Sequence, residues 1–351
     1  LMFHTCQLLA GELFPDEVFT NSGLTGRQMQ AKAKNMLYDW FVTFRKEGFT
    51  EWNSSPYLPI DTLGFGSLYA FAQDPAMREL GREGMDFAYY LLAVHSQQGI
   101  FASSSGRTYI KEQFGNWSNC PSGLSWIGYG YGVPGHAGKG ITSYCLSDYE
   151  PPKEFAQWFS IPRGKEMICQ TTQGNDGYVD LYTYKTADYM MTSANDFHPG
   201  EPGHQENPFQ LTFNAVAQLW VTHPGERVLF GAARPSYWAG NGTLPKVNQY
   251  KAFAGLIYDI APEHPVDFTH LYLPSMEFDR CEVEGKWAFV QLGSAYAAVY
   301  CSNGMRMQDF GSNKDRECIA EGRRCIWLVR AAQADEFAAF EDFKAAMRGA
   351  A

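Results

Sequence analysis

The sequence predicts an α+β protein in which N-terminal helical hairpins, arranged as a partial α/α toroid, precede an antiparallel β-sandwich. Two observations support this prediction. Apolar residues recur at helical spacing up to about residue 160, and from about residue 165 they fall in short β-rich segments. A chain of 351 residues is also long enough for two domains of ordinary size. We therefore expect a helical domain at residues 1–160 and a β-sandwich domain with a C-terminal helix at residues 161–351.

The helical half is predicted from the spacing of its apolar side chains. One set recurs at i, i+3, i+4 and i+7 between residues 28 and 46, and a second set keeps helical spacing after Met77. The two sets are Leu37, Trp40, Phe41 and Phe44, then Leu80, Phe87, Leu91 and Val94. Residues 60–72 form a further predicted helix, and Asp74 with Pro75 supplies the N-cap and first residue of the next. Together these helices predict an antiparallel hairpin.

This helical half is short for a closed toroid. A ring of six helical hairpins would need about 240 residues, judged from ordinary bundle helix lengths, whereas helical spacing ends at about residue 160 here. We expect either a partial toroid or a toroid whose N-terminal part lies outside this sequence.

The second half is predicted to be an antiparallel sheet domain. Its β-rich segments are separated by Gly, Pro, Asn and Asp, and they include YVDLYTY, QLTF, AQLWVT, LIYDI, HLYL, WAFVQL, AYAAVY and CIWLV. Two packed layers bury the apolar faces of so many strands without leaving long edges, which favours a sandwich over an open sheet. The segment ADEFAAFEDFKAAMR predicts a final helix.

Composition excludes several classes of partner. A formal net charge of −10 gives no diffuse basic surface, so we expect neither nucleic acid nor an anionic membrane as a partner. No stretch approaches eighteen consecutive apolar residues, which predicts no membrane span. The eight cysteines include no CxxC pair and are expected mostly as buried thiols. The first residues lack the basic segment of a signal peptide. We expect a secreted or periplasmic protein, with a cytoplasmic location as the alternative.

Four polar loops and one glycine-rich stretch are candidates for a functional site. The loops cover residues 51–57, 103–113, 195–210 and 233–245, and the stretch SGLSWIGYGYGVPGHAGKG is longer than an inert connection usually is. The loops offer amide, imidazole, guanidinium and phenol groups, which neutralise a carboxylate and move a proton. No metal-ligand spacing occurs, so we expect no metal and no cofactor.

Each candidate side chain also has a purely structural interpretation. Asn53 and Ser54 are both suited to cap the helix that follows, and Tyr57 to pack against it. Arg107 and Tyr109 fit a surface ion pair and a strand aromatic equally well. These alternatives stay open at the level of the sequence.

The same holds for the candidates in the second half of the chain. His198 and His204 fit ordinary loop positions in a Pro/Gly-rich turn, while Trp238 and Asn241 fit a turn built on AGNG. His223 and His270 are more naturally placed at the ends of predicted strands.

Several of these motifs together resemble the heparinase II/III-like group of polysaccharide lyases. They are EWNSSPY, SSSGRTY, YMMTSANDFHPGEPGHQENPFQLTF, VTHPG and RPSYWAGNGTLPKV. The resemblance implies a helical toroid followed by an antiparallel β-sandwich. It also implies β-elimination at a uronic acid, in which a neutralised carboxylate acidifies the C5 proton and a Tyr or His removes that proton. The substrate it implies is a polysaccharide or oligosaccharide.

The resemblance also assigns roles to residues. Asn53 is the candidate group that neutralises the substrate carboxylate, and Arg107 is its helper. Tyr109 is the candidate base with Tyr57 as its rival, and the resemblance adds a sandwich histidine, which is either His198 or His204. The expected substrate-binding residues are Gln205, Arg234, Tyr237, Trp238 and Asn241. Ser54 departs from the family pattern, because an Asn-His pair often stands in the neutralising loop.

Two other functions compete with a lyase. A glycoside hydrolase on a similar scaffold would use two carboxylates as acid and base or nucleophile, chosen from Asp61, Glu112, Asp196 and Glu206. A noncatalytic glycan-binding protein would use Trp126, Trp238 and the tyrosines only to stack on sugars. A close carboxylate pair would favour the hydrolase, and binding without turnover would favour the binding protein.

Overall fold

The N-terminal half of the protein is helical. A computed structural model describes residues 1–113, 119–134, 140–174 and 179–350. Helices α1 to α4 come first, with the short hairpin β1 (Val18–Phe19) and β2 (Leu24–Thr25) between the first two. They are α1 (Met2–Leu13), α2 (Gly26–Glu47), α3 (Leu58–Phe71) and α4 (Pro75–Val94). Shorter helices follow as α5 (Ile110–Gln113), α6 (Cys120–Tyr129), α7 (Ile141–Cys145) and a 3-10 helix at Lys153–Trp158.

The ends of the long helices follow from local sequence. Thr25 caps α2 through a capping box, in which its hydroxyl accepts from the backbone N–H of Gln28 while the Gln28 side chain accepts from the backbone N–H of Thr25. Asp74 caps α4 by accepting from the N–H of Ala76, and Pro75 occupies the first helical position. The two amphipathic helices predicted from apolar spacing, and the further helix predicted at residues 60–72, are confirmed as α2, α4 and α3.

The second half consists of antiparallel strands. They are β3 (Met167–Gln173), β4 (Val179–Lys185), β5 (Met190–Asn195), β6 (Phe209–Thr212), β7 (Gln218–Thr222), β8 (Lys246–Tyr250), β9 (Phe253–Asp259), β10 (Phe268–Tyr272), β11 (Arg280–Glu284), β12 (Trp287–Leu292), β13 (Ala295–Cys301), β14 (Arg306–Met307), β15 (Glu317–Glu321) and β16 (Arg324–Gln333). Each predicted segment quoted above overlaps a strand, although some extend one residue beyond it. Tyr178, which begins one of them, and residues 135–139 of the glycine-rich stretch lie outside the described residues.

The strands form two sheets. One has eight strands in the order β14-β15-β10-β7-β6-β5-β4-β3, and the other has six in the order β11-β12-β13-β16-β9-β8. Buried side chains from both sheets, among them Phe209 and Leu219 from the first and Leu256 and Trp327 from the second, belong to one apolar cluster. The α+β class with antiparallel sheets is thereby confirmed, while the toroid, the sandwich and the boundary at residue 160 remain predictions.

The final helix begins later than the sequence predicts. Residues Ala334–Glu336 form a 3-10 turn, and α8 spans Phe340–Gly349. Phe340 and Phe343 of α8 pack on Phe289 and Tyr296, which lie on β12 and β13 of the six-stranded sheet. No helix in the described part of the chain is long and apolar enough to cross a membrane.

A buried polar seam joins the helical half to the eight-stranded sheet. The ammonium group of Lys185, at the end of β4, donates to the carbonyl oxygens of Ala93 at 3.1 Å, Ser96 and Trp158. Thr183 on the same strand hydrogen-bonds the imidazole Nδ1 of His95 at 2.8 Å. Carbonyl groups at the C-terminus of α4 have no partner within the helix, and a cation there also complements the helix dipole. Lys185 therefore stabilises the junction of the two halves.

We expect Lys185→Met to destabilise the protein by about 3 kcal/mol or more, because three buried carbonyl groups would lose their charged donor. Urea unfolding followed by circular dichroism measures this change. Lys246→Met, which alters an exposed lysine of β8, is the control and should change the free energy of unfolding by less than about 0.5 kcal/mol. Equal midpoints for the two variants would contradict the structural role of Lys185.

Candidate functional site

Two polar loops of the helical half are held against each other. The N–H of Gly106 donates to the carbonyl oxygen of Trp52, which lies in the loop between α2 and α3, at 2.8 Å. The hydroxyl of Ser54 donates to the carbonyl oxygen of Arg107 at 3.1 Å. A side chain at position 106 would place its Cβ 2.6 Å from the indole nitrogen of Trp52, so only glycine fits this approach. The sequence SSSGRTY can therefore present Arg107 directly beside the EWNSSPY loop.

A loop of the eight-stranded sheet completes this arrangement. Ser105 and Asn207 exchange backbone hydrogen bonds of 2.9 and 2.7 Å, as in a short antiparallel pair. Thr108 donates its N–H to the carbonyl of Gln205 at 3.1 Å, and the Gln205 side chain donates to the carbonyl of Thr108 at 2.7 Å. Its hydrogen bond to Thr108 lets the Gln205 amide position the Arg107 loop. The Gln205 side chain is buried, so little of its surface is open to a ligand.

The loop with the AGNG turn packs on the other side of residues 204–206. The Asn241 side chain donates to the carbonyl of Glu206 at 3.0 Å and accepts from the N–H of His223 and the hydroxyl of Tyr258. Gly240 has φ +91°, and a Cβ there would lie 2.0 Å from the carbonyl oxygen of His204. Asn241 is fully buried, and its hydrogen bonds to protein groups do not support direct contact with a sugar.

Tyr237 and Trp238 belong to the same loop and are also buried. The Tyr237 hydroxyl donates to Glu317 at 2.6 Å, and the same carboxylate accepts from His270 at 2.6 Å. The Trp238 ring stacks on His270 with 4.1 Å between ring centroids. The two aromatic residues thus hold the loop in place, while Arg234 at its tip is exposed.

Two tyrosines and two arginines converge at the mouth of these loops. The hydroxyl oxygens of Tyr57 and Tyr109 are 3.5 Å apart, and Arg107 donates to the Tyr109 hydroxyl at 3.3 Å. The Arg107 guanidinium lies 5.4 Å from the Tyr57 ring centroid and 5.6 Å from that of Tyr109. Arg234 also lies 5.6 Å from the Tyr109 ring. Glu51 completes the cluster through an ion pair with Arg107 at 3.1 Å.

The two phenols are electrostatically unequal. The pKa of Tyr109 is lowered, first by its hydrogen bond with Tyr57 and then by the hydrogen bond and charge of Arg107, with a further contribution from Arg234. The pKa of Tyr57 is raised, first by the same hydrogen bond and then by burial. The two shifts run in opposite directions, so Tyr109 gives up a proton more readily than Tyr57 does. Either hydroxyl group can donate the hydrogen bond between them.

Glu51 has no role in the sequence analysis, although it begins the motif EWNSSPY. Burial raises the pKa of its carboxyl group, while the charges of Arg107 and His204 oppose that rise. Glu51 thus offsets part of the positive charge that Arg107 brings to the cluster. A glutamate next to an apolar Trp52 in an otherwise uncharged loop was the available signal in the sequence.

Asn53 is only 1% exposed and lies behind this cluster. Its amide donates to the carbonyl of Ser104 and accepts from Gln173, both at 3.4 Å, and its φ of +47° is one that asparagine tolerates. His204 is exposed and near enough for its charge to act on Glu51. His198 lies farther out, with its ring against Phe197 and its Nδ1 3.4 Å from Glu201.

The carboxylates expected of a hydrolase have separate surroundings. Glu112 forms an ion pair with Lys111 at 3.1 Å, and Asp196 forms one with Lys246 at 3.6 Å. Glu206 accepts from the N–H of His204 at 2.5 Å. Burial raises the pKa of Asp61, in the first turn of α3, to about 7. Within the described ranges, no group of three or more His, Cys, Asp or Glu side chains could hold a metal ion.

We expect Gly106→Ala to destabilise the protein by about 1–3 kcal/mol, the usual cost of forcing extra atoms into a packed site. Its Cβ would press on Trp52 and separate the Arg107 loop from the Asn53 loop. Urea unfolding measures the loss. The matched control is Gly349→Ala, whose Cβ meets no atom within 4 Å, and an equally small effect of both changes would show that the loop contact is unimportant.

Comparison of the chain with models of known protein families, with curated proteins and with solved structures gives no match. A function for this chain must therefore be inferred from the geometry of its own residues.

Proposed function

We propose that this chain is a polysaccharide lyase that cleaves a uronic-acid-containing glycan by β-elimination, with Tyr109 as the base. The observation that carries the proposal is the environment of the Tyr109 hydroxyl. It accepts from Arg107 and lies 3.5 Å from the Tyr57 hydroxyl, and Arg234 lies over the same ring. This surrounding favours the phenolate, which is the form that a proton-abstracting base requires.

In the proposed reaction the two arginines act on the substrate carboxylate. A guanidinium presents paired donors to a carboxylate, and neutralising that charge acidifies the C5 proton. Arg107 and the exposed Arg234 face the same phenol, so a uronate bound between them would have its C5 proton near Tyr109. Charge that builds up on the carboxylate during proton removal would then meet fixed positive groups, which is an effective form of transition-state stabilisation.

The bond changes balance without water or a metal. The Tyr109 phenolate removes the C5 proton, the electrons of that C–H bond form the C4=C5 double bond, and the C4–O bond to the next sugar breaks. The leaving oxygen takes the proton of Tyr57, whose raised pKa keeps it protonated until that step. Proton transfer from Tyr109 to Tyr57 then restores the starting pair, because their hydroxyl groups are neighbours.

Asn53 is the residue whose proposed role changes most. Its burial and its hydrogen bonds to Ser104 and Gln173 support a role in shaping the loop. We assign first contact with the carboxylate to Arg107 and Arg234. Neutralisation by Asn53 remains a prediction, since both of its hydrogen bonds are long at 3.4 Å and a carboxylate could replace one of them.

The proposed architecture is a partial α/α toroid followed by a β-sandwich. The apolar cluster shared by the two sheets supports the sandwich, and the consecutive packing of α1 to α4 supports the helical layer. The last helical segment of the first half ends at Trp158 and the eight-stranded sheet begins at Met167, which supports a boundary near residue 160. In this arrangement the Tyr109 cluster lies where the two proposed domains meet.

A glycoside hydrolase is the second candidate, and one observation favours it. Glu51 and Asp61 line the same cavity, and burial raises the pKa of both carboxyl groups. In a glycoside hydrolase, the carboxyl group that acts as general acid needs a raised pKa. Glu51 is already paired with Arg107, which makes it a poor nucleophile. The glycan-binding alternative loses support from Trp238, because that ring is buried, while Trp126 is 45% exposed.

Tyr109→Phe should lower turnover on uronate polymers by about 10²-fold or more, because it removes the base and leaves the ring in place. Alginate, glucuronan, heparan, chondroitin and ulvan-like polymers form the substrate panel, and near-ultraviolet absorbance of the unsaturated product is the readout. Tyr57→Phe should lower turnover through loss of the acid. Tyr250→Phe, which alters a tyrosine 72% exposed on the six-stranded sheet, is the control. Full turnover in the Tyr57→Phe and Tyr109→Phe double variant would rule out the tyrosine mechanism.

Arg234→Gln should move the acid limb of the pH profile of kcat/KM to higher pH. The positive charge of Arg234 helps to lower the pKa of Tyr109, so its removal raises that pKa and a higher pH is then needed to form the phenolate. The control is Arg227→Gln, because Arg227 pairs with Asp267 in the same region. If kcat/KM instead falls by the same factor at every pH and the acid limb does not move, Arg234 acts only in substrate binding and does not tune the pKa of Tyr109.

A further inference from the structure

A cavity of about 460 Å³ lies beside the Tyr109 cluster. Its volume falls in the range of small-molecule sites, about 300–1,000 Å³. Glu51 and Tyr57 line it and also contact Arg107, so the cavity adjoins the candidate site. Asp61 lines the same space, with Trp40 and Phe49 among its aromatic walls.

We propose that this cavity is the subsite for the sugar next to the cleaved uronate, and that it takes an uncharged sugar and rejects a second uronate. The inference rests on the proposed lyase function. It narrows the substrate class to polymers in which uronate alternates with a neutral sugar. Asp61 is the residue that we expect to determine this specificity.

The charges around the cavity support the rejection of a second uronate. Asp61 and Glu51 are both acidic, and none of the lining residues is Lys or Arg. In the described part of the chain the Asp61 carboxylate has neither a hydrogen bond nor an ion pair, and burial raises its pKa. A like charge brought into such a space is strongly disfavoured, which is a common source of specificity.

The same walls suit a neutral sugar ring. The side chain of Trp40 is partly exposed and lines the cavity, and an indole ring offers a flat surface for the apolar face of a sugar. A carboxyl group with a pKa of about 7 is present in both protonation states near neutral pH. Asp61 can therefore accept from a sugar hydroxyl or donate to one.

The test compares two uronate polymers that differ in the neighbouring sugar. One polymer, free of sulfate, alternates rhamnose with glucuronate, and glucuronan contains glucuronate alone. The wild-type protein should have the higher kcat/KM on the alternating polymer. Asp61→Asn removes the charge at nearly constant shape, and it should raise the ratio of glucuronan to alternating-polymer kcat/KM by about tenfold or more. Asp39→Asn, at an exposed position of α2, should leave the ratio unchanged.

Calorimetric binding of short oligosaccharides of both kinds separates this inference from the lyase proposal. A lack of unsaturated product from every polymer would overturn the lyase function and, with it, the assignment of the subsite. If the wild-type protein does form unsaturated product, an unchanged preference in Asp61→Asn, in both kcat/KM and relative affinity, would overturn the subsite alone. A higher kcat/KM of the wild-type protein on glucuronan than on the alternating polymer would also overturn the subsite assignment.

Discussion

The candidate site depends on polar side chains of the eight-stranded sheet that hydrogen-bond the backbone following α4. Lys185 binds the carbonyl of Ser96, Thr192 accepts from the N–H of Ser104 at 2.7 Å, and Thr212 donates to the carbonyl of Ala102 at 2.7 Å. Buried backbone groups must find partners, so these contacts fix the course of a segment that has no regular secondary structure. That course delivers Arg107 and Tyr109 to the mouth of the neighbouring loops.

Once the backbone is fixed, charge decides what the side chains can do. Two guanidinium groups face one phenol, and a second phenol is its hydrogen-bond partner. An isolated tyrosine has a pKa of about 10 and is a poor base near neutral pH. The hydrogen bond with Tyr57 and the hydrogen bond and charges of the arginines lower the pKa of Tyr109, while Glu51 pairs with Arg107 and limits the accumulated positive charge. Two side chains of the same residue type thereby have pKa values that are shifted in opposite directions.

The helices and the antiparallel strands could be predicted from the sequence because each has a local signal, and the polarity of the four candidate loops could be read there as well. Apolar spacing indicated α2 and α4, and Asp74 with Pro75 indicated where α4 begins. Burial of polar side chains had no such signal. Lys185 contacts Ala93, which is 92 residues away in the chain, and Gln205 contacts Thr108, which is 97 residues away. The sequence AGNG predicts the same turn whether the Asn241 side chain faces a ligand or the protein interior. Glu51 was missed because its partner, Arg107, lies in a different loop.

The source of the oxygen at the newly formed chain end tests the central claim most directly. Cleavage of a uronate polymer in water enriched in heavy oxygen, followed by mass spectrometry of the products, distinguishes elimination from hydrolysis. Elimination with Tyr109 as base predicts an unsaturated end, and in the other fragment no more heavy oxygen than its anomeric carbon exchanges with water in the absence of the protein. A saturated product with one heavy oxygen at the new reducing end would contradict the account and would indicate a carboxylate-driven hydrolase.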